Sequence, residues 1–373
     1  MSKTIPPEHK VSYNFLGRSG LKVSNLALGT ATFGEANMNW PGQTDEESSH
    51  EIINRYVEWG GNFLDTADIY SGSKAEMIVG KWLEKNPRDN VVLATKCGNS
   101  MGTEQNVNNT GLSRRHITDS IDNSLKRLHT DFVDLYQMHI WDDGTPVEEA
   151  LRTMDDLVRV GKIRYIGVSN FTGWQLQTLV DATERYGLNP IVSLQQHYSL
   201  ASRDSEREVF QVCKKHGIAI LPWSPLKGGL LTGDVKRGVK PTVGRLGSVA
   251  AGTGRAMASS APHWSTFTDK TFDILDTLAA IAQERDRTMA QVALRWLLQR
   301  DVVASAIFGA TTVAILDENM LASSGWSLTR EEMKRLDDVS APTRPYPYDT
   351  VASINTDRFN PRANNYYVQS IAG

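Results

Sequence analysis

Eight short apolar runs punctuate the chain between residues 26 and 310, and amphipathic stretches with helix-start signals separate them. The runs are LALGT (26–30), NFLDTA (62–67), VVLATK (91–96), DLYQMH (134–139), YIGVSN (165–170), VSLQQH (192–197), AILPWSP (219–225) and SAIFGA (305–310). They are rich in Val, Ile and Leu and do not alternate cleanly, which is the pattern of strands buried on both faces and hence of a parallel sheet. Between them, Thr44 with Glu47, Thr172 with Gln175, Thr288 with Gln291 and Thr329 with Glu332 have the spacing of capping boxes, and Thr145-Pro146 with Glu148 predicts a helix with proline at its first position. On the stretch 46–59, Ile52, Ile53, Tyr56 and Val57 share one face. Eight strand–helix alternations predict an α/β fold, a closed (β/α)8 TIM barrel, somewhat above the ~250 residues typical of that architecture. An open doubly wound sheet is the competing arrangement, but GTATFGEAN follows the first run where such a sheet would place G-x-G-x-x-G. Ahead of the barrel, YNFLGRSGLKVS (13–24) reads as a β-hairpin turning at Arg18–Gly20 and placed to plug the amino-terminal mouth.

A single barrel domain is expected over 11–341, followed by a tail, 342–373, rich in Tyr, Pro, Asn and Arg. The tail has no helical periodicity and is expected either to fold over the barrel or to be disordered. Three connections, 31–43, 97–112 and 227–267, exceed usual loop lengths and leave carboxyl-terminal strand ends, so they should overhang one face. A formal net charge of −3 is too near neutral to favour nucleic acid or an anionic membrane as partner. Only Cys97 and Cys213 occur, which gives neither a disulfide framework nor a metal spacing and favours a reducing, cytoplasmic setting. No apolar stretch spans a bilayer, and MSKTIPPEHK lacks the apolar core of a secretory signal.

Asp65, Tyr70, Lys96 and His139 sit at, or just past, the ends of the second, third and fourth runs. In a (β/α)8 barrel these ends converge on the face where chemistry is found. Taken singly, each has an ordinary reading: a packed tyrosine, a salt bridge, a hydrogen-bonded core histidine. Their joint placement points to one reaction centre. A carbonyl receiving a hydride develops negative charge on its oxygen and needs a proton there. Tyrosine, with a reference pKa of ~10, is a poor acid near neutrality. A neighbouring ammonium favours the phenolate; at about 4 Å and an effective dielectric of 20 the pair is worth ~4 kcal/mol. Tyr70 is therefore the expected acid/base, Lys96 the group that tunes it, Asp65 the anchor of Lys96, and His139 the group that orients the oxygen. No second histidine lies at ligand spacing from His139, so a metal-dependent hydrolase is disfavoured and no metal is expected.

From Phe15 to about Ala322 the chain resembles the aldo-keto reductase superfamily. LDTADIYSGSKAEMIVGKWL (64–83), LATK, LYQMH, KIRYIGVSNF (162–171) and PWSPLKGGLLTG (222–233) carry the resemblance, in order. The last is similar to the family's long-loop branch, which includes potassium-channel β-subunits and bacterial reductases. The resemblance implies a barrel that binds a nicotinamide cofactor without a Rossmann domain, NADPH in preference to NADH, and a small-molecule carbonyl or alcohol as substrate. It implies that Ser169, Asn170 and Gln195 meet the carboxamide, that Trp223 stacks on the nicotinamide, and that Ser224, Leu226, Gly228 and Leu230 wrap the pyrophosphate. Gly309, Thr311, Glu318 and Asn319 match the adenosine segment, and Arg245 matches a 2′-phosphate ligand. Ala31, Phe33, Trp40 and Trp141 are the implied substrate contacts, Ala31 being small where relatives are often bulky. Ile315 replaces a usual Gln or Arg, and His197 a usual Glu. The alternative function is a nucleotide-binding regulatory subunit with little turnover, as in the channel β-subunits.

Overall fold

A computed structural model describes residues 11–34, 44–100, 106–239, 246 and 267–356. Eight parallel strands close into a barrel in chain order: β3 (Leu26–Gly29), β4 (Phe63–Asp65), β5 (Val92–Cys97), β6 (Val133–Met138), β7 (Ile163–Ser169), β8 (Ile191–His197), β9 (Ala219–Trp223) and β10 (Ala306–Phe308), with β10 pairing back to β3. Each matches one predicted run within a few residues. The helices that return the chain are α1 (Glu46–Glu58), α2 (Lys74–Leu83), α3 (Arg114–Leu128), α4 (Val147–Arg159), α5 (Gly173–Tyr186), α6 (Val209–His216), α7 (Asp269–Glu284), α8 (Met289–Leu298), α9 (Val313–Met320) and α10 (Arg330–Ser340).

Two apolar clusters hold the fold. The larger one lies between strands and helices and takes the buried face of α1, including Ile52, Ile53 and Tyr56. The smaller one fills the barrel itself with Ala27, Phe63, Val92, Ala94, Leu135 and Leu221 among its members. Leu16 and Val23, from the antiparallel hairpin β1 (Tyr13–Phe15) and β2 (Lys22–Ser24), belong to that inner cluster and have no exposed surface. The hairpin thus closes the amino-terminal mouth, as the sequence implied. Gly167 shows how tightly the interior is filled: a Cβ there would lie 2.6 Å from Ser193 Oγ and 3.0 Å from Gln137 Cγ.

The capping boxes at Thr288 and Thr329 form, and Gln175 Oε1 accepts from the Thr172 N–H at 2.9 Å. The start of α1 differs from expectation. Asp45 is its cap, accepting from Ser48 N–H at 2.8 Å, while the Thr44 hydroxyl pairs with Ser49 Oγ at 2.8 Å. Thr44 is held back because its N–H donates to Thr32 O at 2.9 Å, which leaves the next residue to flank the first turn. Pro146 likewise sits one residue earlier than expected, at the cap of α4, while Thr145 Oγ1 donates to Asp142 Oδ2 at 2.6 Å. The described part of the tail also departs from expectation: it forms a short helix, α11 (Tyr348–Ile354). Arg207 Nη2 donates to Thr343 O at 3.0 Å and the Tyr348 hydroxyl hydrogen-bonds Glu208, so this part of the tail packs on the connection between β8 and α6. No helix among the described residues is long and apolar enough to cross a membrane.

Candidate active site

Strand side chains alternate between the two faces of a sheet, and the inner apolar cluster identifies the inward set. Phe63 lies inside the barrel, and so does Asp65 two residues on; Val92 and Ala94 lead to Lys96, Leu135 to Gln137 and His139, Ala219 and Leu221 to Trp223. The lower layers are apolar and the top layer is polar. The chain therefore delivers its chemistry by continuing a period of two past the last apolar residue.

Lys96 is completely buried and Asp65 nearly so, at 0% and 1% exposure. Lys96 Nζ donates to Asp65 Oδ2 at 2.7 Å, to Thr66 O at 2.8 Å and to the Tyr70 hydroxyl at 3.0 Å. The ammonium also lies 4.6 Å from the Tyr70 ring centroid. Burial alone would lower the Lys96 pKa, but the charges of Asp65 and Tyr70 and their hydrogen bonds outweigh it and raise it, so this lysine stays charged. Asp65 Oδ1 accepts from Gln195 Nε2 at 2.8 Å and from Gln137 Nε2 at 3.3 Å. Tyr70 and His139 are half-buried, with ring centroids 6.0 Å apart and planes at 79°. Burial, then the Lys96 ammonium, push the His139 imidazole down to about 3, so it is neutral in the folded protein. The structure thus brings all four predicted residues together, with Lys96 and Asp65 enclosed and Tyr70 and His139 at the rim.

The cofactor residues divide. Ser169 and Asn170 end β7 beside this centre, and Asn170 Nδ2 donates to His139 O at 3.0 Å and to Ser169 Oγ at 2.9 Å. Trp223 Nε1 donates to Asn170 Oδ1 at 3.1 Å. Gln195 is turned inward onto Asp65, so its amide nitrogen and that of Asn170 are both engaged inside the protein; the Ser169 hydroxyl and the second lone pair of Asn170 Oδ1 remain suited to a ligand amide. Ser224 follows Trp223 at φ 55, and Leu226 caps a 3-10 turn, Lys227–Thr232, in which Gly228 and Gly229 adopt φ 66 and 99. A Cβ at Gly229 would meet nothing within 4 Å, so the backbone there is open to a close-lying group. Leu230 is buried beneath it. A ring-stacking indole, a polar strand end and an open glycine backbone fit a nicotinamide dinucleotide. On the last segment, Gly309 and Glu318 are exposed, Thr311 is half-buried and Asn319 is buried.

Among the substrate positions, Ala31 is exposed at the end of β3 and Trp141 is half-buried, its ring edge-on to Phe171 and Trp174 at 5.5 and 5.4 Å. Phe33, expected at substrate, has no exposed surface; its N–H closes a turn to Thr30 O and its ring joins the outer core. Trp40 and Arg245 lie outside the described residues.

Sequence reasoning missed three features. Asn99 Nδ2 lies 2.8 Å from His139 Nδ1. His197, unexplained in the sequence, stacks on Trp223 with centroids 4.5 Å apart and planes at 26°, so it backs one face of the indole. Asp68 is 1% exposed, and neither of its carboxylate oxygens has a side-chain hydrogen-bond partner. Burial, then the charge of Glu76, push Asp68 up to about 7. His197 lies two residues beyond Gln195 at the end of its run, so its place at the strand end was readable; the others carried no local signal. A cavity of about 280 Å³ lies between Ser202, Lys227, Thr268 and Pro342, and two of its cations, Arg203 and Arg207, are committed to Glu206 and Asp204.

A profile described as the aldo/keto reductase family matches residues 25–341. The chain is similar to aldo-keto reductase dtxS3 of Metarhizium robertsii, at 35% identity over 91% of this chain and 96% of the relative. It is similar to versiconal hemiacetal acetate reductase of Aspergillus parasiticus, at 35% identity over 90% and 99% of the two chains. An uncharacterised oxidoreductase of Bacillus subtilis, YrpG, is 35% identical over 88% of this chain and 96% of its own.

Proposed function

The chain belongs to the aldo/keto reductase family, and from that premise we propose that it reduces an aldehyde or ketone to an alcohol, reversibly, with NADPH as hydride donor and Tyr70 as proton donor. The observation that carries this reading is the buried ammonium of Lys96, 3.0 Å from the Tyr70 hydroxyl and 2.7 Å from Asp65. When bound, the dihydronicotinamide ring supplies a hydride to the carbonyl carbon. The protein's part is to receive the charge that then develops on oxygen. Tyr70 gives that oxygen its phenolic proton, and the Lys96 ammonium stabilises the phenolate that remains. Asp65 holds Lys96 in place, while Gln195 and Gln137 hold Asp65 from its other oxygen. His139, neutral, can hydrogen-bond the carbonyl oxygen without competing as an acid.

Trp223, backed by His197, is the proposed platform for the nicotinamide ring. Residues 224–230 are proposed to lie along the pyrophosphate, Gly309, Thr311, Glu318 and Asn319 about the adenosine, and Arg245 at the 2′-phosphate. The small Ala31 at the end of β3 and the aromatic wall at Trp141 favour a larger carbonyl over a minimal aldehyde. The test is loss of NADPH absorbance with purified protein across aldehydes, ring ketones, ketosugars and quinones. Carbonyl-dependent turnover near 1 per second or above is expected. Tight NADPH binding with almost no turnover on any carbonyl would instead indicate a regulatory subunit. Arg245→Ala should weaken NADPH far more than NADH; equal weakening removes Arg245 from the 2′-phosphate.

A further inference from the structure

The end of β5 is laced to residue 139. The His139 N–H donates to Cys97 O at 2.8 Å, which brings the following residues alongside the imidazole. Gly98 then turns the chain at φ 124, a backbone region that favours glycine, and a Cβ there would lie 3.1 Å from Leu112. The turn carries the Asn99 side chain back over the strand end, to 2.8 Å between its Nδ2 and His139 Nδ1. Its backbone is anchored on the far side. Gly111 N–H donates to Gly98 O at 2.9 Å, and the buried ring of His116 hydrogen-bonds the Asn99 carbonyl.

An amide nitrogen has only hydrogens to offer, and a neutral imidazole has one N–H and one lone pair. Facing Asn99 Nδ2, the His139 Nδ1 must carry the lone pair, so the single ring proton resides on Nε2. We propose that Asn99 is a positioning residue that fixes His139 as the Nε2–H tautomer, so that the ring presents a donor rather than a lone pair to the carbonyl oxygen. The part concerning the carbonyl rests on the reading of the reaction given above; the tautomer does not. In the opposite tautomer, Nε2 would turn a lone pair toward an oxygen that is gaining negative charge. The second hydrogen-bond partner of a histidine sets which of its nitrogens is protonated, and here that partner is an asparagine two residues beyond the end of β5.

Long-range proton–nitrogen correlation spectra of the nitrogen-labelled full chain at neutral pH report which ring nitrogen of each histidine carries hydrogen. The His139 signals are identified by their loss in His139→Asn. The wild-type protein should show Nε2 protonated and Nδ1 bare. Asn99→Leu should give a mixture of tautomers and lower kcat about tenfold, a fraction of what a positioned acid supplies. Its Kd for NADPH, read from intrinsic fluorescence, should not change. Asn99→Asp, whose carboxylate can only accept, should move the proton to Nδ1. A wild-type ring protonated at Nδ1, or an Asn99→Leu protein that keeps Nε2–H and full kcat, overturns the proposal. Absence of carbonyl turnover in the wild type would overturn the reaction instead, because the spectrum decides the tautomer by itself.

Discussion

At the scale of single residues, the polar groups enclosed at the top of the barrel divide by what balances them. Lys96 and Asp65 are paired, and the ammonium has three acceptors within 3.0 Å. Asp68, three residues past Asp65, has no side-chain hydrogen-bond partner for either oxygen. Its carboxyl is pushed up to about 7, so the folded protein holds this proton more tightly than the unfolded chain. That preference favours folding fully below the ordinary carboxylate value of about 4 and is lost as pH rises through about 7. His139 runs the other way: its imidazole is pushed down to about 3 in the folded state, so its contribution is lost as pH falls below the ordinary histidine value of about 6.5. Asp68→Asn keeps the shape and removes the ionisation. Its stability relative to wild type should grow by about 2–3 kcal/mol between pH 5 and pH 8, read from urea midpoints at the two pH values. A difference that does not change with pH would mean that Asp68 is solvated or paired.

At the scale of elements, the hairpin and the strand ends act as two closures of one barrel. Leu16 enters from the hairpin and touches the same inner cluster as Phe63, Val92 and Leu135. Leu16→Ala should cost about 2–5 kcal/mol in chemical denaturation, as fully buried leucines do; a loss under about 1 kcal/mol would show that the mouth is not packed. Much of this level was legible in the sequence. The eight runs became the eight strands, and the hairpin was marked by its Arg18–Gly20 turn between apolar residues. The ends of the runs placed Lys96 and His139, and the family resemblance placed Trp223. The cap of α1 was misread because Thr44 and Asp45 have side chains equally able to cap, and only the pairing of Thr44 with the Thr32 backbone decides between them. Asn99 was missed for a related reason. It sits in a connection full of small polar residues, and its partner is 40 positions away, so no local pattern distinguishes it. The stack of His197 on Trp223 depends on the register that places the two residues side by side on β8 and β9, which a single strand's sequence does not reveal.

At the scale of the whole molecule, the barrel makes one site out of distant stretches of chain. Asp65 and Gln195 are 130 positions apart and bond at 2.8 Å across the interior. Closure matters for that reason: an open sheet would leave β4 and β8 with no common centre. The described tail packs against the connection after β8 rather than on the strands themselves, through Arg207 and Glu208. The fold therefore holds the Tyr70 hydroxyl beside the enclosed pair of Lys96 and Asp65. The most direct measurement is the single-turnover rate of NADPH oxidation by a good carbonyl substrate, in wild type and in Tyr70→Phe, with NADPH affinity measured on the same samples. The phenylalanine variant should bind NADPH within about twofold of wild type and lose about a hundredfold or more in rate, the worth of a positioned acid. A variant that binds NADPH and turns over at the wild-type rate would show that the proton comes from elsewhere.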